Sequence, residues 1–218
     1  MKTIAIVGAG AGLGMSIAKK FGQNCFRVAL IARNEDKLKQ LVIELEQLGI
    51  EAAPFQADIL NKEEIERAFA AVKEKYGFID VLEYSPTPGF NTVAPTLDVT
   101  EENALYQFQF NVLGALSSVR QVLPEMLAKQ SGALLFTTGG AAIHPVPTMG
   151  NVGIAVSGLR NYIFNLNSEL ADKGVYAGHL SIVWMQPNSG VQDKIADIWY
   201  DMYTKRDRVE EFITEDRV

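Results

Sequence analysis

Residues 4–14 read Ile4-Ala5-Ile6-Val7-Gly8-Ala9-Gly10-Ala11-Gly12-Leu13-Gly14. A short apolar run enters four glycines, and Leu13, Ile17, Ala18 and Phe21 then fall on one face at helical spacing. The order is therefore strand, glycine turn, helix. Glycine suits such a turn because the chain must bend sharply and let a diphosphate approach the backbone. The free N–H groups and positive dipole end of the helix then face the phosphates. Two spacings overlap. A pattern built on Gly8 and Gly10 needs a small residue where Leu13 stands, whereas Gly8-x-x-x-Gly12-x-Gly14 fits throughout.

The rest of the chain alternates strands and helices. Strands are expected at 27–32, 52–56, 78–84, 132–138 and 175–183, beside the one ending at Val7. Pro54 argues that the third strand lies near a sheet edge. Asn34, Asn61 (paired with Glu64) and Thr100 are expected helix caps. A long helix runs from Thr100 towards Ala128, with Pro124 expected to kink or shorten its last turns. Further helices are expected at 151–171 and 193–203, followed by a charged tail. This pattern predicts an α/β fold, one doubly wound parallel sheet with helices on both faces, in a single domain over 1–218. Ligands in such folds sit beyond the carboxyl ends of the strands. Here those ends include Val7-Gly8, Ala32-Arg33, Ala57-Asp58, Tyr84-Ser85, Thr137-Thr138 and Val183-Trp184.

Composition narrows the function. A net charge of −6 gives no reason to expect nucleic-acid binding. No apolar run reaches membrane-spanning length without charge, and Cys25 is alone, so the reading is a cytoplasmic protein without an internal disulfide. Two histidines and one cysteine carry no metal-ligand spacing.

The Gly8-x-x-x-Gly12-x-Gly14 spacing resembles the short-chain dehydrogenase/reductase family, whose usual Thr before the first glycine is Val7 here. The resemblance runs to about Pro187 and implies a Rossmann-type fold holding a nicotinamide cofactor on Gly8, Gly10, Gly12, Leu13 and Gly14. Arg33, just after the second strand, could pair with a 2′-phosphate, which favours NADP over NAD. Asp58 and Ile59 resemble the family's adenine-contacting pair, and Asp58 could equally cap a helix. Asn111, in Phe110-Asn111-Val112-Leu113-Gly114, resembles an asparagine of a proton relay; satisfying a neighbouring backbone is the alternative. Pro187 resembles the proline after the sixth strand near the nicotinamide.

The departures concern chemistry. The family's Asn-Asn-Ala-Gly reads Tyr84-Ser85-Pro86-Thr87, with Ser85 still expected against the cofactor. The family's Tyr-x-x-x-Lys falls on Val152 and Val156, which can neither donate a proton nor carry charge. Its serine falls on Thr138 or, by loop spacing, Gly139. Tyr84, His144, Ser157 and Arg160 are the candidate substitutes for the proton donor, and Thr138 could still hydrogen-bond a carbonyl oxygen, beside Asn111. Two functions stay open: an NADP-dependent oxidoreductase on a small carbonyl or alcohol with an altered site, or a cofactor-binding sensor or partner protein without turnover. The resemblance also implies a homodimer or homotetramer paired through the 100–128 and 151–171 helices.

Overall fold

The computed structural model describes residues 1–183 and 190–214. Their core is a parallel seven-stranded sheet in the order β3-β2-β1-β4-β5-β6-β7. Its strands are β1 (Lys2–Val7), β2 (Phe26–Ala32), β3 (Ala52–Gln56), β4 (Val81–Tyr84), β5 (Gly132–Gly139), β6 (Val175–Ile182) and β7 (Glu210–Ile213). The helices are α1 (Leu13–Gln23), α2 (Glu35–Gln47), α3 (Lys62–Tyr76), α4 (Glu101–Phe108), α5 (Gly114–Lys129), α6 (Gly150–Leu170) and α7 (Val191–Lys205). Strand order reverses between β1 and β4, and this is the switch point at which a doubly wound sheet opens a crevice.

The strands carry apolar residues on both faces because helices cover both. One face, with Val7, Ile31, Leu82 and Phe136, packs on α3, α5 and α6. The other, with Ile6, Leu30, Val81 and Leu135, packs on α1, α2 and α7. There Phe21, Phe26, Tyr200 and Tyr203 meet edge-on or tilted, with ring centroids 5.2–6.0 Å apart.

The expected caps form. Asn34 Oδ1 accepts from Lys37 N, Asn61 Oδ1 from Glu64 N, and Thr100 closes a capping box with Asn103. β3 is an edge strand, as Pro54 implies.

Three expectations change. The long helix is interrupted at Gln109–Leu113 by a π-helical turn and not at Pro124, beyond which α5 continues to Lys129. The charged tail contributes β7, which pairs His179 with Glu210 and Ile182 with Ile213. β4 begins at Val81 rather than Phe78.

Candidate active site

A cleft of about 940 Å³ opens over the carboxyl ends of β1, β4, β5 and β6, joined by a smaller hollow of about 180 Å³ beside Ala32 and Arg33. Gly8, Gly10, Gly12, Leu13 and Gly14 line the cleft. Gly8 has φ +91°, and a Cβ there would sit 2.5 Å from Pro86 Cα, so only glycine lets the β4 loop cross the turn. A Cβ on Gly14 would press to 3.2 Å from Ala9 Cα, which holds the helix start against the turn. A Cβ on Gly12 would meet nothing within 4 Å. No side chain caps α1. Its first N–H groups are therefore presented to the cleft across bare glycine, the arrangement that a diphosphate requires.

The smaller hollow holds Ala9, Ile59, Thr87 and Phe110 beside the exposed Arg33. Gln56 Nε2 donates to the Arg33 carbonyl at 2.9 Å and fixes its backbone, while its guanidinium has no ion-pair partner among the described residues. Ile59 lines this hollow, but Asp58 does not. Asp58 Oδ1 accepts from Leu60 N and its own N–H donates to Glu64, so it shapes the turn before α3.

Towards β5 the cleft is lined by Ser85, Asn111, Thr138, His144, Val152 and Val156, among others. The π-helical turn carries Asn111, whose Nδ2 donates to the Gln107 carbonyl (2.9 Å) and to Gln107 Oε1 (3.1 Å). Such a turn adds one residue to the helical repeat and re-aims the side chains after it. Gln107 and Asn151 both donate to the Thr92 carbonyl, which ties the 92–94 loop to the end of α4 and the start of α6. Val152 and Val156 pack with Ala141 and Ala142 as an apolar wall. His144 lies exposed at the rim, its ring 5.2 Å from that of Phe212.

Tyr84 is corrected. Its side chain points into the α5 face of the core and its hydroxyl donates to the Phe110 carbonyl at 2.6 Å. A Cβ on Gly114 would collide with that hydroxyl, so the glycine makes room for it. Burial pushes the phenol far above its ordinary pKa. Tyr84 therefore holds β4 to the π-helical turn and is not a proton donor to the cleft. Tyr84→Phe is expected to cost about 1–2 kcal/mol in a urea melt, through the orphaned carbonyl, and to leave cofactor affinity unchanged. Pro187 and Trp184 lie outside the described residues.

Two buried polar chains end at the cleft; the sequence reading named Ser85, Thr138 and Arg160 in them but not Glu83, His179 or Glu210. On the α7 face, Ser85 Oγ and Thr137 Oγ1 lie 2.9 and 3.2 Å from the two carboxyl oxygens of Glu83, and Trp199 Nε1 donates to Thr137 Oγ1 at 3.0 Å. Burial pushes the Glu83 carboxyl up to about 8, against the two hydroxyls that lower it. On the α6 face, Thr138 Oγ1 lies 2.8 Å from His179 Nε2, and His179 Nδ1 lies 2.7 Å from Glu210 Oε1. Arg160 grips Glu210 through Nε and Nη2 at 2.6 and 2.7 Å. Burial holds the His179 pKa below its usual value, with Glu210 opposing. The signal for both was an ionisable residue inside an apolar strand, Glu83 in Val81–Tyr84 and His179 in Val175–Ile182.

The chain is similar to proteins of named type. A diacetyl reductase ((S)-acetoin forming) of Staphylococcus epidermidis is 27% identical over 175 residues, 80% of this chain and 67% of that protein. A putative ketoacyl reductase of Streptomyces coelicolor is 30% identical over 203 residues, 89% and 75% of the two chains. The chain spans about two thirds of the length of such curated relatives. Among solved structures, a single-residue variant of actinorhodin polyketide ketoreductase with NADPH superposes at a TM-score of 0.80, with 28% identity, over 91% of this chain and 77% of that one. The family model for short chain dehydrogenases matches residues 2–186, from the first strand through the glycine turn to just past β6. The chain belongs to the short chain dehydrogenase family.

Proposed function

We propose that this protein is an NADP(H)-dependent oxidoreductase acting on a small carbonyl or alcohol, with the family's tyrosine and lysine positions occupied by Val152 and Val156. The observation that carries it is the uncapped start of α1, bare at Gly12 and open to a cleft of about 940 Å³. The residues fit a dinucleotide. Gly8 to Gly14 would hold the diphosphate, Ile59 would flank the adenine, and the unpaired Arg33 guanidinium would take the 2′-phosphate. NADPH supplies the hydride for carbonyl reduction when bound. Ser85, Asn111 and Thr138 offer polar atoms nearby, and the valine wall with Val93, Val146 and Met149 shapes an apolar substrate end. His144 at the rim could meet the polar end of a substrate.

NADPH fluorescence titration followed by a carbonyl panel tests this. Binding with NADPH oxidation is expected. No binding of either nicotinamide cofactor would refute both this reading and its rival. The rival is a sensor or partner subunit that binds the cofactor without turnover. It is favoured by the two valines, and binding with no oxidation across the panel would select it. Arg33→Asp is expected to weaken NADPH by at least tenfold, about 1.4 kcal/mol, and to leave NADH nearly unchanged. Equal losses for both cofactors would remove the 2′-phosphate role.

Leu105, Phe108, Leu113, Leu127, Ile154 and Phe164 are exposed on α4 to α6. They support pairing into a homodimer or homotetramer, and a place in the cytoplasm is part of the same proposal. A monomer by light scattering at working concentration would count against it.

A further inference from the structure

We propose that Thr138, His179 and Glu210 form a proton conduit from the cleft to solvent, and that Thr138 Oγ1 exchanges the hydroxyl proton of the substrate. The proposal rests on the oxidoreductase reading above. The conduit crosses three adjacent strands. Thr138, next to last in β5, stands on the cleft wall and is 8% exposed. His179, on β6, is fully buried. Glu210, its register partner on β7, keeps 20% of its side chain exposed and is held by Arg160 from α6. The chain thus begins in the cleft and ends in water.

Its polarity follows from the partners. Glu210 lies against the Arg160 guanidinium, which keeps it ionised despite its burial, so it can only accept. His179 Nδ1 must then carry a hydrogen. In the neutral ring Nε2 is left as an acceptor, and the Thr138 hydrogen, which also reaches the Gly139 carbonyl at 3.2 Å, goes to the shorter bond at 2.8 Å. Thr138 lone pairs remain for the cleft. An orienting carboxylate, an imidazole and a hydroxyl in this order make the hydroxyl a proton acceptor. Glu83 offers no equal route: its hydroxyl partners Ser85 and Thr137 both line the same cleft, and no described group carries its chain on to a second, solvent side.

The step balances. In alcohol oxidation the substrate carbon–hydrogen bond breaks, and its electron pair passes as hydride to NADP⁺. The substrate O–H proton passes to Thr138 Oγ1 as the Thr138 proton passes to His179 Nε2. The alcohol is oxidised, the cofactor reduced, and the imidazolium passes its Nδ1 proton to Glu210, 2.7 Å away, and so to solvent, leaving an Nε2–H ring that must return to the Nδ1–H form before the next turnover. Carbonyl reduction runs the same transfers backwards and needs the imidazolium. The charged groups facing His179 are Glu210 from β7 and Arg160 from α6. Reduction is therefore expected to quicken, and oxidation to slow, as pH falls through the depressed His179 value.

Histidine-selective ¹⁵N NMR tests the arrangement apart from turnover, since the chain has only two histidines. At pH 7.5 His179 is expected as the Nδ1–H tautomer, and Thr138→Val is expected to move its Nε2 signal while NADPH affinity changes less than twofold. With NADPH and 2,3-butanedione, Thr138→Val should lower kcat at least a hundredfold and Thr138→Ser less than tenfold. His179→Gln, which can bridge the same partners but cannot take up a proton, should lower kcat at least tenfold. It should change KM less than threefold and abolish the acid-side rise in reduction. An Nε2–H tautomer, ring signals blind to Thr138→Val, or wild-type kcat in Thr138→Val or His179→Gln would overturn the conduit. A wild-type protein that binds NADPH but reduces no carbonyl would overturn the oxidoreductase reading instead. The ring signals would then decide the conduit alone.

Discussion

At pH 8, Glu83→Gln is expected to be more stable than the unsubstituted protein by up to about 4 kcal/mol, and at pH 4 the two should be nearly equal. Glu83 is fully buried and its carboxyl is pushed up to about 8 by that burial. The folded state therefore keeps a proton that the unfolded chain releases near 4.5. Between those values the folded state binds more protons, so stability falls as pH rises, by about 1.4 kcal/mol per unit, and levels off above the folded value. Glutamine removes this loss without removing the bonds. Trp199 Nε1 donates to Thr137 Oγ1, which directs the Thr137 hydrogen at Glu83 Oε1. The carboxylic proton is then left for Oε2, facing Ser85. A glutamine carbonyl and amide reproduce those two roles in the same order. Glu83→Ala should instead destabilise at every pH, by stranding both hydroxyls over a void. Urea melts at pH 4, 6 and 8 read all three curves. Parallel curves for the protein and Glu83→Gln would mean that Glu83 is ionised in the folded state.

The elements that could be read from the sequence were those fixed by neighbours in the chain. The strand–turn–helix at Val7–Leu13, the caps at Asn34, Asn61 and Thr100, and the edge position implied by Pro54 all depend on residues within one turn of each other. What stayed hidden depends on distant partners. In a strand covered on both faces, alternation no longer says which face is which, so the direction of Tyr84 could not be read. The π-helical turn at Gln109–Leu113 leaves helical periodicity almost intact on either side and shifts only the phase. β7 is four residues long, and Glu210 belongs in it because His179 waits 31 residues earlier. Glu83 and His179 were visible as letters and invisible as sites. A polar residue within an apolar run demands a buried partner, and the sequence does not name that partner. The glycine end of the cleft was thus legible, and the end over the buried Glu83 and His179 was not.

Two glycines of the same turn should fail in opposite ways. Gly12→Asp is expected to leave the apoprotein melt unchanged or slightly raised, by up to about 1 kcal/mol, because position 12 is the helix N-cap and aspartate is a favoured cap. A Cβ there meets nothing, so nothing in the fold must move. The same carboxylate would stand at the uncapped helix end, occupying the anion's place and repelling it. NADPH affinity should drop at least a hundredfold. Gly8→Ala should do the reverse. Its φ of +91° disfavours any side chain, and the methyl would meet Pro86 backbone atoms 2.5 Å away, which cannot swing aside. A loss of about 3 kcal/mol or more is expected, with affinity falling only as far as the folded fraction does. Measuring the melt and the NADPH titration on both variants separates the roles. If Gly12→Asp binds NADPH as tightly as the unsubstituted protein, the helix start is not where the phosphates lie. The Arg33 and Thr138 assignments would then lose the anchor that sets them at opposite ends of one ligand.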